Sequence, residues 1–333
     1  MVKARVMAAH DAVAVTGPAA EVLDTSASRP RRRRPGMWRK RTELTVLLTP
    51  AVVLFVGFVL VPIGVAAYYS FYNWSGYGPV TDYIGLKNYR DALTGHVFLL
   101  SIRDNLVIVG LSLVIQLPLS IGLAMMLNRR VRGRTVLRLL VFAPYVLSEA
   151  TTAVIWLLML QPNGFVDQML KSVGLGSAVH LWLADTGIVL YTLFVVLTWK
   201  YIGFGIILLL AGLQGVPHEL REVAAIDGAT PWQTTRYVVL PLLGPTIRIW
   251  TFLTVIGSLQ VFDLVWIITK GGPADASSTM ATYVFDFGMT RNQVGYGSAV
   301  AVILFAICFV FALVYQRFVL RRDTEGALTR MVG

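Results

Sequence analysis

Residues 212–245 read GLQGVPHELREVAAIDGATPWQTTRYVVLPLLGP. The stretch from Pro217 to Ile226 has helix-forming composition, opened by a proline and carrying Glu219 and Glu222 in its first turns, where acidic side chains favour the helix dipole. Asp227 and Gly228 then supply a stop, and Thr230 with Pro231 starts a second short helix. The expectation is a helix, a glycine turn and a second helix, a shape suited to docking against a partner protein. Its setting decides the fold, because long runs of apolar residues flank it on both sides.

A helix needs about 20 residues to cross the hydrocarbon core of a bilayer. Working outward, the chain offers six such runs, at about 46–70, 104–129, 139–159, 187–210, 246–268 and 297–318. Pro50 and Pro62 interrupt the first, which membrane helices tolerate when neighbours satisfy the freed carbonyls. The predicted fold is an all-α integral membrane protein of six transmembrane helices. Its parts are a basic tail at 1–43, a membrane domain at 44–322 containing the loop 212–245, and a short tail at 323–333.

Composition supports this. The 333 residues are 56% hydrophobic and 14% charged, against about a quarter charged in soluble domains, too little polar surface to cover a soluble fold of this size. The net charge of +11 does not indicate nucleic acid, because the basic residues fall between apolar runs instead of forming one patch. They report orientation instead. Counting alternate loops, 22 of the 29 lysines and arginines lie with the two ends of the chain and six lie opposite, Lys200 falling inside the fourth run. The basic side includes Arg31–Arg34 of the tail, Arg129, Arg130, Arg132, Arg134 and Arg138, and Arg317, Arg321 and Arg322. Both termini are therefore expected in the cytoplasm. The Arg-rich tail itself is expected to be unstructured and to touch anionic membrane lipids. A single cysteine, Cys308, excludes an intrachain disulfide.

Three charges fall inside or at the edge of apolar runs: Glu149, Lys200 and Asp263. A charge at a bilayer centre costs about 2.5–3.5 kcal/mol on insertion scales, so each is expected to face a partner helix, an interface or a cavity. No cluster of His, Asp and Glu has metal-ligand spacing, and no phosphate-cradling GxxxxGK[ST] loop occurs, so neither a metal site nor ATP hydrolysis is expected in this chain.

The loop also carries a resemblance. Glu222, Val223 and Ala224, then Ile226, Asp227, Gly228 and Ala229, and finally Leu240, Pro241 and Pro245 resemble the signature of inner-membrane permeases of binding-protein-dependent ATP-binding-cassette importers. The likeness is greatest to their carbohydrate branch, typified by maltose permeases. Val223 replaces an alanine of that signature, and Thr235 stands where an aromatic is common. Trp199, Lys200 and Leu210 to Gln214, Phe262 with Asp263, Thr269 and Gly271 to Pro273, and Gly295 to Ala299 resemble further blocks of the same branch. So do Pro144, Trp156, Gly164 and Leu170, and the resemblance extends over about 44–322.

What the resemblance implies is a multi-pass subunit of a bacterial cytoplasmic membrane. It would form half of an import path beside a second, homologous permease subunit. Two ATPase subunits would hold ATP and magnesium, and an extracytoplasmic solute-binding protein or lipoprotein would deliver the cargo. Glu219, Glu222, Ala224, Asp227, Gly228 and Ala229 would couple the chain to an ATPase. A disaccharide such as maltose or trehalose is the expected cargo, glycerol phosphate the alternative. Glu149, Trp156, Tyr191, Lys200 and Asp263 are the candidates for the path or for interhelical contacts, with Trp199 and Tyr201 as further aromatics able to stack on a sugar. A self-sufficient secondary transporter is disfavoured, since the chain shows no repeated halves.

Overall fold

The computed structural model describes residues 37–128 and 133–320. Most of the basic tail, the final segment 323–333 and Arg129, Arg130 and Arg132 lie outside the described residues. The chain divides at Phe55/Val56 into two units, and packing is described here for the second. Among the described residues, five helices are long and apolar enough to cross a membrane: α1 (Thr45–Tyr69), α3 (His96–Asn128), α7 (Val189–Gln214), α10 (Gly244–Ile268) and α12 (Val294–Leu320). Between α1 and α3 lies the short helix α2 (Lys87–Thr94), preceded by an isolated bridge pairing Tyr72 with Tyr83.

The third apolar run, expected as one helix, is broken. Helices α4 (Arg134–Val146) and α5 (Glu149–Met159) meet at a 99° bend, and counting them as one span gives six. The cause is local. Pro144 lies in the last turn of α4 and removes a backbone donor. Leu147 then turns extended, and Ser148 caps a new helix by accepting the Thr151 N–H at 3.1 Å. A short helix α6 (Phe165–Ser172) follows, then α7. Helices α8 (His218–Ile226) and α9 (Pro231–Thr234) occupy the loop after α7, and α11 (Met280–Phe285) precedes α12.

Helix α7 is the spine, with 56% of its most apolar window buried, the largest share of any span. One cluster gathers Leu193, Val196 and Leu197 of α7 with Ile108 of α3 and Leu264 and Val265 of α10. A second gathers Ile206 and Leu209 with Ala124 of α3 and Leu243 and Trp250. A third holds Phe98, Val255, Met280 and Val300 away from the spine. Outward-facing residues such as Phe309 and Val310 of α12 remain exposed in the single chain, as expected where the solvent is hydrocarbon.

Gly203 explains how α4 lies across α7. A β-carbon there would collide with the Val141 carbonyl oxygen and stand 3.1 Å from Phe142 Cα, both backbone atoms that cannot rotate aside. Gly203→Ala is therefore expected to destabilise the chain by about 1–3 kcal/mol, the usual cost of overpacking. Thermal unfolding of the purified protein in detergent reads this as a lowered midpoint, and an unchanged midpoint would show that α4 is not pinned there.

Helix α10 loosens at Gln260–Phe262 before its last turns, Asp263–Ile268. The groups freed there are collected by one fully buried side chain from α3. Asn105 Nδ2 donates to the Ser258 carbonyl at 2.7 Å and the Leu259 carbonyl at 3.3 Å, while its Oδ1 accepts the Met280 N–H at 2.8 Å. Irregular backbone at membrane depth needs such internal partners.

Candidate functional site

Two places concentrate chemistry: the α8–α9 loop at one end of the bundle, and a cavity between α3, α7 and α10.

At the loop, each turn has a local cause. Helix α8 begins after Pro217, with Glu219 in its first turn. Its end is a Schellman motif: the Ala229 N–H donates to the Ala224 carbonyl at 2.9 Å, and the Gly228 N–H to the Ala225 carbonyl at 3.1 Å. This requires a left-handed residue, and Gly228 has φ +79°. Immediately afterwards Thr230 Oγ1 accepts the Gln233 N–H, and Gln233 Oε1 accepts the Thr230 N–H, a capping box with Pro231 at the first helical position.

Ala224 is turned inward, 8% exposed, and Ala229 is half-buried. Glu219, Glu222, Asp227 and Gly228 are exposed, and so are Leu220, Val223 and Ile226, the last at 85%. Glu222 pairs with His218 at 3.0 Å across one helical turn, an exposed contact of little energetic weight. The loop thus shows a mixed apolar and acidic face to its surroundings and buries a small alanine.

The cavity encloses about 420 Å³. Aromatic side chains line it from several helices: Tyr145 of α4, Tyr201 and Phe204 of α7, and Trp250 and Phe262 of α10. Between them stand hydrogen-bonding groups: Ser112, Gln116, Thr254, Ser258 and Gln260. Tyr145 stacks on Phe204 at 5.0 Å between ring centroids. The Trp250 indole donates to Ser120 Oγ at 3.1 Å, which fixes the ring. Asp263 is the sole formally charged residue of the lining among the described residues.

The sequence candidates fall in different places. Glu149, at the start of α5, accepts the Tyr201 hydroxyl at 2.7 Å, so it joins the broken span to the cavity wall. Lys200 does not reach the cavity. It is 2% exposed, and its Nζ donates to the carbonyls of Pro144 (3.2 Å), Tyr145 (3.3 Å) and Leu147. Three ammonium protons thus meet three carbonyls at the negative end of α4, a charge matched both to the freed acceptors and to the helix dipole. Trp156 meets Trp199 edge-on at 5.5 Å and packs on the first core cluster. Tyr191 is 53% exposed on the outer side of α7. Asp263 alone of the five lines the cavity directly.

Sequence reading did not find Gln116, Tyr145, Phe204, Trp250 or Gln260 as cavity residues. Each is an ordinary residue of an apolar helix, and only the packing of α3 and α10 against α7 brings them together. Asn105 carried a detectable signal, a strong hydrogen-bonding amide next to an acidic residue near the start of a span.

At the bundle end opposite α8–α9, α6 is anchored through Asp167, whose carboxylate accepts the Trp182 indole N–H at 2.8 Å and the Asn163 N–H at 2.8 Å. The indole bond, aided by the Asn163 bond and the charge of Lys171, holds this carboxyl below the usual carboxylate range against the opposing effect of burial. On the same side the turn after α10 is closed by Thr269 and Ser277 hydroxyls 2.9 Å apart and by Ser277 donating to the Gly272 carbonyl.

A polytopic helical bundle with a capped helix–turn–helix at one end and a polar, aromatic-lined cavity between its spans is an architecture suited to a membrane permease. The family described as binding-protein-dependent transport system inner membrane component matches residues 116–324, and the chain belongs to it. It is a multi-pass component of the cytoplasmic membrane. Among relatives, a diacetylchitobiose uptake system permease of Streptomyces coelicolor is 30% identical, over 90% of this chain and 87% of its own length. An sn-glycerol-3-phosphate transport system permease of Brucella suis is 31% identical, over 83% of this chain and 94% of its own. The same fold occurs in a bacterial alginate ABC transporter solved in complex with a pentasaccharide-bound periplasmic protein. That likeness has a TM-score of 0.75 at 23% identity and covers 86% of this chain and 97% of the other.

Proposed function

We propose that this chain forms half of the membrane path of an ATP-driven importer of neutral carbohydrate, with a disaccharide such as maltose or trehalose as cargo. The observation that carries the proposal is the chemistry of the cavity. A sugar ring offers an apolar C–H face and a rim of hydroxyls, and a wall of Tyr145, Tyr201, Phe204 and Trp250 interleaved with Gln116, Ser258 and Gln260 answers both. The Streptomyces relative, part of a disaccharide uptake system, supports the same class.

The Brucella relative favours glycerol phosphate as the second reading. A phosphate in a low-dielectric path calls for arginine or lysine. The cavity lining offers neither, and Lys200 spends its protons on α4. The neutral sugar is therefore preferred.

In the assembled importer, a second homologous permease subunit completes the path and a solute-binding protein or lipoprotein delivers sugar from outside. With both termini in the cytoplasm, the α8–α9 loop docks in one of two ATPase subunits, where ATP and magnesium bind. Glu219, Glu222, Asp227 and Gly228 lie on the docking side, and Ala224 and Ala229 face inward. Coupling arises because the loop makes different contacts with the open and closed ATPase pair. A ligand-binding screen of the cognate binding protein, followed by ATP-dependent uptake with the full complex, is the test. Binding and uptake of a neutral disaccharide, without sn-glycerol 3-phosphate, is expected; the reverse preference would overturn the sugar reading.

A further inference from the structure

We infer that the chain carries a second binding site, for a phosphate-bearing anion, where the α8–α9 loop meets the spans, with Arg221 as its charged group. A cavity of about 310 Å³ opens there. It is lined by Met125 and Asn128 at the end of α3, Leu213 at the end of α7, Arg221 and Ala225 of α8, and Thr235 just after α9. It shares no residue with the cavity between α3, α7 and α10. The inference goes beyond the importer reading, and its test needs no transport.

Arg221 is the residue that requires an occupant. Its neighbours Glu219, Leu220, Glu222 and Val223 are exposed, but Arg221 is half-buried and shares the cavity face of α8 with Ala225, one turn on. Its Nε is enclosed and has no hydrogen-bond partner among the described residues. A buried donor left in that state calls for an acceptor. No carboxylate lines the cavity among the described residues, so the chain supplies no counter-ion there. A protein docked on the exposed side of α8 meets Glu219 and Glu222, not the enclosed Nε.

Size and polarity narrow the ligand. A guanidinium fork matches two oxygens of a phosphate, and Asn128 brings an amide donor to the same space. Thr234 and Thr235 give their hydroxyl protons to the Thr230 and Pro231 carbonyls, at 3.2 and 2.8 Å, so they shape the wall without donating. Met125 and Leu213 face a small organic body attached to the phosphate. The carboxyl ends of α3 and α7 meet here, and each dipole opposes an anion with about half a charge. Whole charges outweigh them: Arg138 donates to the Leu127 carbonyl at 3.2 Å at the end of α3, and the sequence after Asn128 adds Arg129, Arg130 and Arg132. Thr235, standing where the importer signature commonly has an aromatic, keeps the space open, since a ring there would extend into it. A phosphate held by Arg221 and Asn128 ties α8 to α3, the joint through which, on the importer reading, the ATPase acts on the spans.

A phosphate reaches this end of the bundle either on a soluble molecule or on a lipid headgroup, and two arms separate the sources. In the first, the full complex in phosphatidylcholine nanodiscs, its ATPase sites filled with a non-hydrolysable ATP analogue, is titrated with radiolabelled glucose 6-phosphate. In the second, phosphatidylglycerol retained by the detergent-purified complex is counted by mass spectrometry. Both arms compare the parent with Arg221→Gln, which removes the charge, and Thr235→Phe, which fills the space and leaves the charge. Glucose 6-phosphate binding weakened at least about tenfold in both variants, or retained phosphatidylglycerol lost from both, is the expected result and names the source. Thr235→Phe introduces an aromatic where the signature commonly has one, so a folding defect in Arg221→Gln does not decide the outcome. Absence of binding in both arms overturns the inference, as does binding that Thr235→Phe leaves unchanged. The importer reading stands or falls separately, on ATP-dependent uptake by the parent complex.

Discussion

Replacing Lys200 by methionine is expected to destabilise the chain by about 2–4 kcal/mol, because it leaves the carbonyls of Pro144, Tyr145 and Leu147 without their donor. Methionine fills nearly the same volume, so the loss is electrostatic and not a cavity. Lysine is suited to the site because its three protons splay from one atom toward three acceptors, whereas the planar fork of arginine matches two parallel ones. Lys200→Arg is therefore expected to recover only part of the loss. Thermal unfolding of the purified complex measures the stability, and ATP-dependent uptake follows it down because Tyr145 borders the cavity. A midpoint equal to that of the parent would show that the carbonyls of α4 do not depend on this ammonium.

Gly228→Val is expected to abolish coupling while leaving the bundle intact. At φ +79° a β-branched residue is strained by about 1–2 kcal/mol, enough to favour another turn by roughly tenfold. Nothing lies within 4 Å of the β-carbon position, so no collision inside the chain contributes. What changes is the angle at which α8 leaves for α9, hence the face offered to the ATPase. Membrane insertion and yield should match the parent, while co-purification of the ATPase and ATP-dependent uptake fall. Gly228→Asn, which tolerates the left-handed region, should retain more of both. Uptake at the parental rate in the valine variant would remove Gly228 from the coupling device.

Much of this architecture is legible before any coordinates. Apolar runs of span length report the solvent, and five of the six appear as helices within a few residues of their expected limits, apart from an earlier start at His96 for the second. The loop 212–245 is equally transparent, because caps are local: proline, glycine and threonine write their own backbone angles. Span three is not, because Pro144 alone is compatible with a kink or a full break. The break at 99° depends on Ser148 as a cap and on a lysine on another helix. Lys200 itself shows why the candidate path was hard to read. Its charge marks it as important, but only the packing of α4 on α7 at Gly203 decides that it serves a backbone end and not a cargo. The aromatic wall lies beyond sequence reasoning for the same reason, since a tryptophan in a membrane helix looks alike whether it faces lipid, core or cavity.

The two backbone repairs differ in when they become available during synthesis. Asn105 is made 153 residues before Ser258, so the donor for the loosened end of α10 is already in the membrane when that end arrives. Lys200 is made 53 residues after Leu147, so the carbonyls at the end of α4 are synthesised before their donor. The third span therefore gains the ammonium that covers its break only once α7 has been translated.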